Sequence, residues 1–425
     1  MKYKEKAILA VLDTGKSGNW PAEELMDELK TLTLSCGAEI AGEVTARRDK
    51  PDPAYFVGKG KAQEIVLLAA EVEADVVIFN DDLSAAQKGS LERIINGRVI
   101  DRTQLILDIF AGRAKSIEGK VQVELAQLQY LLPRLTGKGD ELSRLGGGIG
   151  TRGPGEQKLE VDRRRIQKRI SKLKKDLKKI EKRRQNLRDK RKRNHISTIA
   201  LVGYTNSGKS TLLNALTASN QITRDKLFST LDPKVKKLIL PNKQSVLIAD
   251  TVGFLHDLPH HLIESFKATL EEAVEADILL HILDASSPRA RELKESVYNV
   301  LCELKALDKP IITALNKIDK TASEVMVDSF VKSTDNCVGI SALYKENLDE
   351  LLHIIEQSLA ALRTHIKLLI PHQKMSLIDL IYKDGNVIKK EYAPEGVYLE
   401  ADVSVVLAKK LKKIASTKHT LPSIS

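Results

Sequence analysis

The chain has 425 residues, 42% hydrophobic and 29% charged, enough apolar material for the cores of two to four domains. No stretch reaches 18 consecutive apolar residues, which argues against a membrane-spanning helix, and the N-terminal apolar run carries an aspartate and no small-residue cleavage site, so it does not read as a secretion signal. The net charge of +11 favours a polyanionic partner only where the excess is concentrated.

In chain order, KAILAVLD reads as a buried strand. A helical pattern runs from Pro21 to about Cys36. Strand-like AEIAGEVTA follows, then a helix over roughly Lys61 to Glu73, the strand DVVIFND, the helix LSAAQKGSLERIIN and the short strand GRVID. Strands alternating with helices imply a small open α/β subdomain with a mainly parallel sheet, over residues 1–115. Gly58-Lys59-Gly60 is too short to cradle a phosphate and is read as a turn.

Residues 116–195 read as a helical, coiled-coil-like subdomain. Helical sequence from Ile117 to Leu135 leads into a glycine-rich stretch, Ser143 to Gly155. Within it Gly148, Gly150 and Gly153 match a dinucleotide fingerprint in form only. That fingerprint needs a buried strand before it, and helical sequence lies on both sides here. Two readings stay open. One is a flexible connector. The other is a backbone-rich loop, flanked by Arg144 and Arg152, that approaches RNA phosphates because glycine adds no side-chain bulk. From Val161 to His195, 18 Lys or Arg stand against four acids. Leu159, Ile166, Ile170, Leu173, Leu177, Ile180 and Leu187 recur at spacings of four, three and seven, the seam of a long helix. A solvated helical face normally mixes both signs, so this imbalance points to nucleic acid.

Residues 196–364 form a second α/β domain. ISTIALVG, SVLIAD, ADILLHILDA, KPIITALN and NCVGIS are strand-like, and KVKKLIL with SVLIAD looks like a hairpin turning at PNKQ. Residues 365–425 read as a small α+β domain with a Lys-rich tail.

The chemistry sits in the second α/β domain. Gly203-Tyr204-Thr205-Asn206-Ser207-Gly208-Lys209-Ser210 matches GxxxxGK[ST], follows a strand and precedes the helical run that begins at Thr211. Such a loop points backbone N–H groups at phosphates. Lys209 would neutralise the β and γ oxygens, and the Ser210 hydroxyl would ligate Mg2+. Asp250-Thr251-Val252-Gly253 ends another strand, placing Asp250 to hold the magnesium shell through water and the Gly253 N–H to sense the γ-phosphate. Asn316-Lys317-Ile318-Asp319 selects the base. The Asp319 carboxylate accepts from guanine N1–H and N2–H, donors that adenine lacks. Ser341-Ala342-Leu343 ends the last strand, with the Ala342 N–H available to guanine O6.

Together these motifs imply a Ras-like P-loop GTPase domain that binds GTP and Mg2+. The switch threonine must lie between the phosphate loop and Asp250. Phe228-Ser229-Thr230 supplies it, Thr230 being assigned to metal and γ-phosphate ahead of Ser229. Lys209, Thr230 and Gly253 are the expected catalytic groups. Phe254 follows Gly253 where many GTPases place a water-orienting glutamine, so slow intrinsic hydrolysis is expected, or water positioned from elsewhere. Asn206 is either a plain loop residue or the anchor of a K+ ion that stands in for an arginine finger.

SRLGGGIGTRGPGE, the heptad helix, the nucleotide motifs, FSTLDP and DTVGFLHDLPHHLIESFKATLEEA together resemble the HflX family of GTPases over nearly the full chain. One departure is Gly155-Glu156-Gln157-Lys158-Leu159-Glu160, where the family has GETQLE. The resemblance implies the four-part architecture above. It also implies a protein that binds the large ribosomal subunit and its rRNA, reaches toward the peptidyl-transferase region and splits stalled or idle ribosomes, notably in stress. The glycine loop and basic helices would carry the rRNA contacts. A subunit-assembly GTPase, or an RNA-binding protein with GTP as affinity switch, are the alternatives.

Cys36, Cys302 and Cys337 lie far apart and fit no metal spacing. Buried reduced thiols are expected, in a cytoplasmic monomer, with peripheral attachment to a membrane left open.

Overall fold

The computed structural model describes residues 4–15, 20–137, 154–193, 196–217, 234–255, 270–321, 324–384, 386–404, 407–409 and 411. The glycine-rich stretch with Arg144 and Arg152, the segment with Phe228, Ser229 and Thr230, and most of the stretch after Leu255 lie outside these residues.

The N-terminal sheet is built from β1 (Lys6–Asp13), β2 (Glu39–Arg47), β3 (Val76–Phe79) and β4 (Arg98–Asp101), in the order β2-β1-β3-β4 and parallel throughout. The central β1 is buried from Ala7 to Leu12, which is why its sequence is a continuous apolar run rather than an alternating one. Helices α1 (Ala22–Cys36), α2 (Lys59–Val72), α3 (Ala85–Ile95) and α4 (Arg102–Arg113) connect or follow the strands. α2 begins two residues before the apolar pattern suggests, because the Ala62 N–H already closes on the Gly58 carbonyl at 2.9 Å. Gly58-Lys59-Gly60 is therefore a helix start rather than a free turn. α3 opens on a capping box between Ser84 and Gln87.

The next helix, α5 (Ile117–Leu131), and the 3-10 turn after it are pinned to the end of β4. The buried Asp101 carboxylate accepts from the Tyr130 hydroxyl at 2.7 Å and from Arg134 at 3.3 Å, and the Arg134 guanidinium lies 3.6 Å above the Tyr130 ring. Burial and the Asp101 charge raise the Tyr130 hydroxyl far above its ordinary range. The long helix α6 (Pro154–Arg193) follows. Leu173 is buried, while Ile166, Ile170, Leu177 and Ile180 are half-buried, and Arg169 grips Glu124 of α5 through both carboxylate oxygens. The side chains of Leu159 and Leu187 are outside the described part.

A six-stranded sheet follows: β5 (Thr198–Val202), β6 (Lys234–Ile239), β7 (Ser245–Asp250), β8 (Ile278–Asp284), β9 (Ile311–Asn316) and β10 (Cys337–Ile340), ordered β10-β9-β8-β5-β7-β6. All neighbours are parallel except β6 and β7, the hairpin that turns at PNKQ. Helices α7 (Lys209–Leu216), α8 (Ala290–Glu303), α9 (Glu324–Ser333) and α10 (Leu348–Ala361) accompany it. The strand order reverses at β5, so a crevice opens at the carboxyl ends of β5, β7 and β8, where such sheets bind ligands.

The last domain has three antiparallel strands, β11 (Arg363–Pro371), β12 (Asn386–Ala393) and β13 (Gly396–Ser404), with β13 central. Helix α11 (Ser376–Asp384) packs Ile378 and Ile381 onto Val397, Leu399, Ala401 and Val403. Among the described residues no helix is long and apolar enough to cross a membrane.

The cysteines correct one expectation. All three are free, but only Cys337 is buried, with burial pushing its thiol up to about 11. Cys302 is exposed because it follows Glu295 and Asn299 along the polar side of α8, whereas Cys36 continues the buried stripe of Met26, Leu29 and Thr33 but is the last residue of α1.

Candidate functional site

Gly203 to Ser210 form a loop from the end of β5 into α7. Gly208 takes the left-handed φ of 99°, and a Cβ there would stand 2.1 Å from the Asn316 amide nitrogen. The turn into the helix therefore requires glycine. Thr205, Ser207 and Lys209 are buried, Tyr204, Gly208, Ser210 and Thr211 half-buried, and Asn206 is exposed in a left-handed conformation. Lys209 folds back over the loop, donating to the Gly203 carbonyl at 3.0 Å and the Tyr204 carbonyl at 2.6 Å. Burial, only partly offset by Asp250, pushes its ammonium down to about 8.

The DTVG segment lies against this loop. The Ser210 hydroxyl donates to the fully buried Asp250 carboxylate at 2.7 Å, and the Thr251 hydroxyl to the Leu201 carbonyl at 2.6 Å. A Cβ on Gly253 would meet both Thr205 and Lys209 at 2.8–2.9 Å, so only glycine allows this approach. Phe254 bridges Tyr204: its N–H donates to the Gly203 carbonyl at 3.1 Å, and its carbonyl accepts from the Thr205 N–H at 2.7 Å. Its ring is buried in the core, where it orients no water.

The third group of motif residues is tied to the same loop by Asn316. Its amide donates to the Ser207 carbonyl at 2.8 Å, and its oxygen accepts from the Ala342 N–H at 2.9 Å. One buried side chain thus braces three motifs that are far apart in sequence. It also occupies the Ala342 N–H expected to meet guanine O6, so a bound base competes with Asn316 for that donor. The Ser341 hydroxyl donates to Asp319 Oδ1 at 2.6 Å and fixes the carboxylate. Leu343, 63% exposed, lies at the mouth. The described residues of the expected site therefore converge at one end of the sheet, and Phe228 and Thr230 fall outside the described part.

Two residues here were not singled out from the sequence. Asp284 ends β8 and binds Lys317 Nζ at 2.5 Å, both side chains 20% exposed, while its other oxygen accepts from the Ser286 N–H and hydroxyl. Its position at the carboxyl end of a parallel strand was the available signal. Lys317 has a left-handed backbone, φ 65°, so its side chain depends on this tether. We expect Asp284→Ala to weaken GDP binding about fivefold, the ordinary worth of a partly exposed pair. Titration with a fluorescent GDP analogue checks this, and an unchanged Kd removes Asp284 from the site.

The other is His281, fully buried in β8 between Val202 and Thr313, with the Tyr298 ring edge-on at 5.8 Å. Neither ring nitrogen has a hydrogen-bond partner among the described residues. Burial, reinforced by Lys294 and Lys209, pushes the imidazole down to about 3. The unfolded chain takes up this proton near pH 6.5 and the folded chain does not. The stability His281 contributes is present above that pH and is lost as pH falls toward the folded value. Between pH 6.5 and 5 the loss is roughly 2 kcal/mol. His281→Leu should lose that much less on acidification. Calorimetry at both pH values decides, and equal losses in the two proteins would refute it.

Family models match in series: "GTP-binding GTPase N-terminal" over residues 23–111, "GTP-binding GTPase Middle Region" over 113–191, "50S ribosome-binding GTPase" over 198–317 and "HflX C-terminal domain" over 326–418. The GTPase HflX of Caldanaerobacter subterraneus subsp. tengcongensis is 44% identical, covering 96% of this chain and 93% of its own. That of Escherichia coli K12 is 41% identical, covering 92% of each. The crystal structure of SsGBP with GDP superposes with a TM-score of 0.51 at 27% identity, covering 83% of this chain and 98% of that one. With four family models in series and such identity along nearly its whole length, the chain belongs to the HflX family of GTPases.

Proposed function

We propose that this GTPase binds the large ribosomal subunit through its rRNA and, in a GTP-dependent way, splits stalled or idle ribosomes. The observation that carries the RNA contact is the face of α6. Arg164, Lys168, Lys172 and Lys175 line one shallow groove with Gln167 and Ser171. Their spacing of three to four residues stacks the charges along one side of the helix, the arrangement that follows a phosphate backbone. A family model described as ribosome-binding supports the same partner.

In the nucleotide site, Lys209 and the loop N–H groups would hold the phosphates and Asp319 the base. Mg2+ would be held by Ser210 and Thr230, with Asp250 through water. The hydroxyl and carboxylate 2.7 Å apart at Ser210 and Asp250 are the hard oxygen donors this ion prefers. K+ beside Asn206 would replace an arginine finger, and faster hydrolysis in KCl than in NaCl tests it. With Phe254 in the core, the remaining water positioning falls to the ribosome.

Sucrose-gradient sedimentation tests the main reading. Whole ribosomes mixed with the protein and a non-hydrolysable GTP analogue should lose their monosome peak. An intact monosome peak with binding confined to immature subunits would instead make this an assembly factor. Binding to naked RNA, without stimulation of GTP hydrolysis by ribosomes, would make it an RNA-binding protein switched by GTP.

A further inference from the structure

The C-terminal domain carries a surface that the nucleotide site does not use. Met375, Leu380, Tyr382, Ile388 and Tyr392 are exposed in this domain, although its core is filled without them. Tyr382 lies near the end of α11 and is 49% exposed; Tyr392 lies on β12 and is 73% exposed. Lys390 Nζ stands over both rings, 5.7 Å from the centroid of Tyr382 and 4.9 Å from that of Tyr392. The register explains the grouping. Lys390 is opposite Leu399 and Tyr392 opposite Val397, both buried under α11, so both project on the helix-covered face at the open edge of the sheet.

The charges on this sheet differ in kind. Lys389 is paired with Glu391 and Lys367 with Glu400. Among the described residues Lys390 forms no salt bridge; its ammonium lies over the two tyrosine rings, hydrogen-bonds the Tyr392 side chain and feels the Asp379 carboxylate of α11 at longer range. Residues 363–425 hold eleven Lys or Arg against six Asp or Glu. An aromatic pair bracketing an ammonium that no direct ion pair holds fits a partner that offers flat π surfaces and negative charge together. Strand addition along β12 is the competing use of a free edge. It is disfavoured by the register break between Val387 and Lys389 and by consecutive lysines, both of which block edge pairing.

We propose that Tyr382, Lys390 and Tyr392 form a binding site for unpaired RNA, with bases stacking on the two rings and Lys390 meeting the phosphate. This surface is separate from the α6 groove and does not depend on ribosome splitting.

The test uses the full chain and two fluorescein-labelled RNAs of about 12 nucleotides per strand, one an unstructured single strand and one a duplex. The α6 groove binds phosphates of either RNA, whereas stacking requires unpaired bases, so the comparison isolates this site. By fluorescence anisotropy, Tyr392→Ala and Tyr382→Ala should each weaken single-strand binding about tenfold. Tyr392→Phe should restore it, and duplex binding should stay within about twofold of the parent. Because Tyr392 is largely exposed, its loss leaves the core intact, and a circular-dichroism spectrum and melting curve matching the parent's verify that each variant is folded. Cross-linking of a 5-bromouridine strand to the peptides holding Tyr382 or Tyr392 would give direct support. Equal single-strand affinity in the parent and both alanine variants overturns the proposal, as does an equal loss on the duplex. Unchanged RNA affinity with impaired ribosome binding would assign the surface to a protein partner and equally overturn it.

Discussion

Asp319→Asn should change the protein from one that prefers GTP to one that prefers XTP. The Ser341 hydroxyl donates to Asp319 Oδ1 at 2.6 Å and itself accepts the Tyr344 N–H at 3.2 Å. Because that hydroxyl is a donor toward position 319, an asparagine there keeps its oxygen on Ser341 and turns its NH2 toward the base. Guanine then presents two N–H groups to a donor, whereas xanthine presents a carbonyl oxygen in place of the amino group. Two charge-assisted bonds are lost for GTP, so its affinity should fall on the order of a thousandfold. XTP should bind better than GTP, and competition titrations with both nucleotides measure the ratio. A variant that still prefers GTP would show that Asp319 does not read the base.

Lys209→Ala should abolish useful nucleotide binding and leave the protein folded. The two carbonyls that Lys209 now engages keep other donors: Gly203 accepts from the Phe254 N–H and Tyr204 from the Ser207 N–H. The substitution also removes a buried ammonium whose charge is disfavoured, its pKa standing at about 8. What is lost is the cation facing a triphosphate in a loop where little water screens it. GTP affinity should drop roughly a thousandfold, the scale of several lost charge-assisted contacts, with GTP hydrolysis undetectable. Calorimetric titration and a melting curve on the same sample separate binding from folding. Hydrolysis within tenfold of the parent, or a collapsed melting transition, would contradict this account.

Local sequence carried far because each motif is a short backbone device. The loop from Gly203 to Ser210 needs glycine where φ is left-handed and a lysine and serine at fixed offsets, and such requirements stay in register along the chain. The alternating strands and helices, the PNKQ hairpin and the seam of α6 follow equally from periodicity, which is a local property. By itself the sequence determined that a GxxxxGK[ST] loop, an acid at a strand end and an NKxD segment stand in one domain, and that positive charge is concentrated on one helix.

Other features depend on side chains that meet only after folding. The bracing role of Asn316 requires β9, β10 and the phosphate loop to be assembled first, since its partners are Ser207 and Ala342. Asp284 looked like any residue ending an apolar run until β8 and β9 paired and brought Lys317 to it. Phe254 could be recognised as unable to orient water, but its withdrawal into the core depends on the bridge to Tyr204. The exposure of Cys302 on a polar helix face and of Cys36 at a helix end, and the grouping of Tyr382, Lys390 and Tyr392 at one sheet edge, were likewise set by where the helices pack and end and by the strand register the packed domains adopted. Composition and spacing constrain single elements, whereas exposure and long-range pairing depend on where neighbouring elements pack, and only the tertiary structure decides that.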